Sequence, residues 1–355
     1  MTVAETLRDR IRAHGPIPFE VFMDVALYGD EGFFATGPLR SSATGDFLTS
    51  PEVSPWFGRT LGRFLATKVG GGSAVVEVGG GSGSLLVPLL GELPLNVEAW
   101  VVEVSPMARQ RLAELLELDR IVTVMNELPV ELAGALIANE LIDNLPVALA
   151  VRRGTGWVEH SVGILGDGFG FVETPVRPEV AEWANRFGGE VPEGGIVEVQ
   201  LAAIAWLRQA IDLIDGVIVL IDYGGTAEEL EPRRQQGTLR TYRGHHLGPD
   251  PLLEPGETDI TVDVNFSALA AVAAEHGAVV DLARQDDFLA TWGLRQVVSD
   301  LRHHELELAR QGDTLSQLEV KSERIAAETL LHPRGLGDFR ILTIDVEPSV
   351  RTLGS

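Results

Sequence analysis

Beyond about residue 70 the chain alternates short, almost wholly apolar runs with longer stretches in which apolar residues recur at helical spacing. The first kind reads as buried strand and the second as amphipathic helix. Ala74 to Val78 is the first run. Gly79 to Gly83 then breaks regular structure, and Ser84 to Leu90 opens a helix that Gly91 to Pro94 ends. A second run, Val97 to Val104, precedes Ser105-Pro106, a good helix start, and a helical stretch to about Leu118. Ile121 to Met125 and Ala133 to Ala138 read as third and fourth strands, and Gly216 to Asp222 as a fifth. A helix from Phe266 to His276 leads to a strand at Ala278 to Leu282. One long charged helical region, about Gln296 to Leu331, precedes a last strand from Phe339 to Val346.

This alternation predicts an α/β fold with a seven-stranded, mostly parallel sheet and helices on both faces. Residues 1–70 form an N-terminal helical cap, with helical spacing from Pro55 to Val69, and 71–146 the first half of the core. Residues 147–215 are an insertion with a hairpin (Val147 to Val172) and helices near Pro178–Phe187 and Leu201–Ile214. Residues 216–225 return to the core, 226–276 are an insertion covering the site, with Gly224 to Thr261 irregular, and 277–355 hold the last strands and the long helix.

Composition narrows the function. Apolar residues are 45% of the 355, enough for a core, and no run is long enough to span a membrane. The absence of cysteine excludes disulfides and thiolate nucleophiles and suits a cytoplasmic protein. With 52 acidic residues against 28 Lys and Arg, the net charge of −24 repels nucleic acid, and it reads either as a surface that aids solubility or as a field that draws in a cationic substrate.

The most informative segment is Glu77-Val-Gly79-Gly-Gly81-Ser-Gly83. Glycines at alternate positions after a strand allow positive φ and close approach of a ligand, and a following helix N-terminus offers free N–H groups. Counted from Gly79, the dinucleotide spacing G-x-G-x-x-G fails at Ser84, and the segment lies closer to E-x-G-x-G-x-G. Glu103 ends the second strand, where a carboxylate holds ribose hydroxyls in NAD and S-adenosylmethionine sites alike.

A second polar group, Asn139-Glu140-Leu-Ile-Asp143, follows the fourth strand, beyond whose carboxyl end ligands bind in open sheets. Glu140 and Asp143 are placed to grip a planar cation such as a guanidinium; equally, Asn139 caps a helix with acids at its positive end. Asp222-Tyr223 ends the fifth strand at the same edge, as substrate lining or as a strand-terminating turn. His245-His246, near Asp250 and Asp259, matches no metal template and reads as a polar covering loop, so no metal is expected.

Taken in order, these blocks resemble the MidA-like methyltransferases, a family that includes the mitochondrial complex I assembly methyltransferase and bacterial relatives. The resemblance rests on Gly45-Asp46-Phe-Leu-Thr49-Ser-Pro-Glu52, the glycine loop, Glu103, Asn139-Glu140 with Asp143, Asp222-Tyr223-Gly224, Gly237 to Arg240, His245, Asp259 to Thr261 and Gly337 to Phe339. It departs at Gly80, often Pro, at Leu141 and Ile142, usually aromatic, and at Asn144, usually Ala. The resemblance implies a Rossmann-like class I methyltransferase fold and S-adenosyl-L-methionine as cofactor. Gly79, Gly81 and Gly83, with Glu77 beside them, would hold the methionyl end, Glu103 the ribose, and Asn126 the adenine. Asn139 would border the cofactor, and Asp46, Thr49 and Glu52 would close over it. Glu140 and Asp143 would be catalytic and face the nucleophile; Asp222, Tyr223 and His245 would line the substrate side. The reaction implied is protein arginine methylation, with a respiratory complex I type subunit as partner. A non-catalytic assembly protein, a small-molecule methyltransferase and an NAD-dependent oxidoreductase are the competing readings. The long charged helix is a candidate homodimer surface or a solvated cover.

Overall fold

The computed structural model describes residues 1–35, 49–116, 122–243 and 246–347. Its central sheet comprises β1 (Ala74–Val78), β2 (Glu98–Val102), β3 (Val122–Met125), β4 (Leu132–Asn139), β5 (Ile214–Asp222), β6 (Val279–Arg284) and β7 (Arg340–Val346). The order is β6-β7-β5-β4-β1-β2-β3, and the expected seven strands are all present. β7 runs antiparallel to β5 and β6; the other pairings are parallel.

Successive residues of each strand face opposite layers, and both layers are apolar, which is why the runs carry no polar alternation. Val75, Ile137 and Val219 pack against α3 (Pro55–Leu65) and α4 (Leu86–Leu90) through Phe57, Leu61 and Leu89. Past these comes α5 (Pro106–Leu116). Val76, Leu136 and Leu220 pack against α6 (Leu201–Leu213) and α7 (Phe266–Glu275) through Leu207, Ala210 and Leu269. Grouped with the insertion by its place in the sequence, α6 is instead the crossover that parallel pairing of β4 with β5 requires.

Other expectations change as well. The hairpin of 147–172 is part of a five-stranded antiparallel sheet: Ile17–Pro18, Ala148–Arg153, Gly156–Leu165, Gly168–Pro175 and Ile196–Val199. The cap divides. α1 (Val3–His14) and α2 (Phe19–Tyr28) bury Leu7, Phe22 and Leu27 in one cluster with Leu149 and Val162 of that antiparallel sheet, while α3 joins the core. The long charged helix is two, α8 (Leu294–Gln311) and α9 (Thr314–Leu330). Gly312 ends α8 at φ 77°, and the Asp313 side chain caps the next helix by accepting from the Ser316 N–H at 3.2 Å. The segment from Gly224 to Thr261, read as irregular, contains a small sheet of Arg240–Arg243, His246–Leu247 and Asp259–Thr261. No helix among the described residues is long and apolar enough to cross a membrane.

Candidate active site

A cleft of about 530 Å³ lies beyond the carboxyl ends of β1, β2, β4 and β5, between the core sheet and the covering segments. One wall is the turn after β1, where Gly79, Gly81 and Gly83 have φ of 76°, 49° and 79°. A β-carbon at Gly80 would come within 2.4 Å of Val101 Cγ1, so the position that departs from the family pattern has no room for a side chain here. Glu103 ties the turn to β2: its carboxylate accepts from the Gly81 N–H at 3.3 Å and the Ser105 N–H at 2.9 Å. Glu77 faces the cleft from β1 with one carboxylate oxygen buried and unpartnered. Burial, then the field of Glu103, pushes its carboxyl up to about 8.

The short helix Ser50–Val53 closes over this wall. Ser50 Oγ meets the Gln285 side chain, and the Ser82 hydroxyl donates to Glu52. Thr49 lines the cleft, whereas Glu52 acts through Ser82. Asp46 and His245 lie outside the described residues.

The other wall follows β4. Glu140 stands at φ 51°, a conformation that costs a non-glycine residue about 1–3 kcal/mol, and its N–H is held by the Ile221 carbonyl of β5 at 2.8 Å. Asn139 does not cap a helix; its amide donates to the Glu140 carboxylate at 3.2 Å. The cap comes from Asp222, fully buried beneath the cleft. One of its oxygens accepts from the N–H groups of Ile142 (3.0 Å) and Asp143 (3.2 Å), the other from that of Tyr223 (3.0 Å). Asp222 thus supports the wall from below, as the strand-terminating turn of one sequence reading and not as the substrate contact that the family resemblance implies. Tyr223 does line the cleft, and its hydroxyl donates to Asp143 Oδ2 at 2.5 Å. Asp143 Oδ1 is buried without a partner. Desolvation, with Asp143 nearby, pushes Glu140 up to about 8; desolvation, opposed by the Tyr223 hydrogen bond, pushes Asp143 to about 6.

Of the remaining expected residues, Gly83 is buried beneath the turn and Asn126 is exposed after β3, outside the cleft lining. Sequence reasoning missed Tyr28, Phe34, Arg233, Arg240, Tyr242 and Asp263, all in the lining. Only Arg240, within the Gly237–Arg240 block, had drawn notice. No three His, Cys, Asp or Glu converge as a metal set among the described residues.

The cleft fits S-adenosyl-L-methionine on its own geometry. The glycine turn exposes backbone to a ligand, the unpartnered Glu77 oxygen suits an ammonium, and Glu103 stands where ribose hydroxyls would reach it. Comparison with known proteins agrees. Residues 61–283 match the family of S-adenosyl-L-methionine-dependent methyltransferases. The mitochondrial protein arginine methyltransferase NDUFAF7 of Danio rerio is 28% identical over 340 residues, 82% of this chain and 77% of its own length. The Homo sapiens protein of that name is 28% identical over 330 residues, covering 80% and 72%. A Burkholderia thailandensis protein crystallised with S-adenosyl-homocysteine superposes with a TM-score of 0.85 at 29% identity, covering 97% of this chain and 91% of that one.

Proposed function

The chain belongs to the S-adenosyl-L-methionine-dependent methyltransferase family, and from that premise we propose that it methylates an arginine side chain of a protein substrate. The observation that carries this reading is the Glu140–Asp143 pair in the cleft lining, with the buried Oδ1 of Asp143 left without a partner. Relatives named as protein arginine methyltransferases support it.

When bound, S-adenosyl-L-methionine supplies an electrophilic methyl group. The protein supplies position and charge. A guanidinium is planar, with N–H donors matched to carboxylates, so two carboxyl groups at one wall fix its plane and rotation. Alignment of one nitrogen for in-line attack is then set by binding, which can supply much of the barrier reduction. Burial disfavours the charged forms of Glu140 and Asp143, and an entering guanidinium restores them by giving each an opposite charge. With its carboxyl raised to about 8, Glu140 is suited to take the proton that the methylated nitrogen gives up. Asp143, fixed by Tyr223, holds the remaining positive charge.

The test uses methyl-tritiated S-adenosyl-L-methionine in an extract of the source organism, with Glu140→Gln alongside the wild type. A labelled protein band that yields methylarginine on digestion, falling about a hundredfold in the variant at unchanged S-adenosyl-homocysteine affinity, is expected. Label confined to small molecules, or an unchanged rate in the variant, sinks the reading.

A further inference from the structure

Beside the carboxylates the cleft lining also carries charge of the other sign. Arg233, at the end of the turn Glu231–Arg233, and Arg240, at the start of the strand Arg240–Arg243, both line the cleft and both donate to the carboxylate of Asp263. That carboxylate is 1% exposed, while the two arginines are 49% and 36% exposed. Asp263 is itself fixed, its N–H donating to Thr238 Oγ1 at 3.1 Å. One negative charge therefore meets two guanidinium groups, and one positive charge is left over.

Among the described residues the imbalance is particular to this place. Asp338 also receives two arginines, Arg284 and Arg340, but these have further acids in Asp286 and Glu229. Among the described residues, neither Arg233 nor Arg240 has a second acidic partner. Arg240 Nε is moreover buried with no hydrogen-bond partner. Arg334 lines the same cleft and forms no ion pair among the described residues. In a chain of net charge −24, surplus cations are collected at the mouth of an acidic cleft. They also adjoin the chemistry: the Arg240 guanidinium lies 5.3 Å from the centre of the Tyr223 ring, and the hydroxyl of that ring holds Asp143.

We infer that Arg233 and Arg240, held by Asp263, form an anion subsite for an acidic side chain near the methylated arginine of the substrate. The inference rests on the arginine reading above for what lies next to the anion, and on the cleft alone for the subsite itself. A carboxylate there completes the charge balance and accepts the guanidinium N–H groups that Asp263 leaves free. Selection would thus be bipolar: cation toward Glu140 and Asp143, anion toward Arg233 and Arg240.

The test measures binding first. Short fluorescent peptides centred on Arg, with flanks of Ala mixed with either Glu or Gln, are titrated into protein loaded with S-adenosyl-homocysteine, and anisotropy is read. The overall charge of the protein favours the Gln peptides, so a preference for Glu runs against the general field. The expected result is about tenfold tighter binding of the Glu peptides, the scale of one charge-assisted contact. In Arg233→Gln the preference falls to about one, while Asp263 keeps Arg240 as partner and the fold survives. Arg240→Met is the harsher second variant, with the affinity for S-adenosyl-homocysteine reporting that its cleft is intact. Equal or tighter binding of the Gln peptides to the wild type, absence of binding by both, or a preference that survives in both variants overturns the subsite. The same peptides are then offered with labelled S-adenosyl-L-methionine. A Glu preference without methyl transfer keeps the subsite and removes the arginine reading; transfer without a Glu preference does the reverse.

Discussion

At the β1–β2 end of the cleft the ligand-facing groups are largely backbone, a turn of glycines braced by Glu103, and the segment that makes them spans about thirty residues of continuous chain. At the β4–β5 end they are side chains, Asp143, Tyr223, Arg240 and Asp263, drawn from four separate segments and held by one another. The first wall can bind any ligand with the right polar outline, because peptide groups do not vary with sequence. The second can be rewritten one side chain at a time. A fold that keeps one cofactor while changing acceptors needs this division.

The contrast is tested most severely at the first wall. Glu103→Gln removes the charge that accepts from the Gly81 and Ser105 N–H groups, and S-adenosyl-homocysteine affinity should fall about tenfold by calorimetry. An unchanged affinity would mean that the turn holds the ligand without its brace. The second wall answers to Tyr223→Phe, which leaves the Asp143 carboxylate without its donor. The hydroxyl lowers the Asp143 carboxyl, so its loss should raise that group further above about 6. Turnover should fall several-fold, and the ascending limb of its pH profile should move to higher pH. Equal turnover with an unmoved limb would reduce Tyr223 to a packing role.

The smallest effect is on stability. Glu77 and Glu140 titrate near 8 in the folded chain and Asp143 near 6, all above their unfolded values near 4. The folded state then binds more protons than the unfolded, so these groups favour folding fully below about pH 4 and lose that contribution as pH rises from about 4 to about 6 for Asp143 and to about 8 for Glu77 and Glu140. Carboxylates lowered by partners, such as Glu275 beside Arg186, act below that window. Melting of the ligand-free protein between pH 5 and 8.5 should show the decline, and Glu77→Gln should flatten it by at most about 1.4 kcal/mol per pH unit. A parallel decline in that variant would show that Glu77 ionises freely.

The same division explains what could be read in advance. Glu77 to Gly83, Glu103 and Asn139 to Asp143 announce themselves because strand end, glycine and acid are neighbours in sequence. Arg233 and Asp263 are thirty residues apart, in a segment without periodicity, and meet only through the fold. Asp222 misled for a related reason. An acid at a strand end suits both a ligand and the N–H groups of the next strand's turn, and only geometry shows which it serves. The break between α8 and α9 was written in Gly312-Asp313, but the heavily charged surface on either side masked the change of helix face.

The antiparallel strand has a consequence for how the molecule is made. β7 is the last strand of the core in sequence, yet it lies inside the sheet, between β5 and β6. Its seven residue pairs with β5 join positions more than a hundred residues apart. While the chain emerges from the ribosome, β5 keeps an open edge and β6 has no partner until residues 340–346 arrive. The sheet is closed by a late insertion, and a nascent chain stalled before that point would present a bare, apolar strand edge to chaperones and to its own kind.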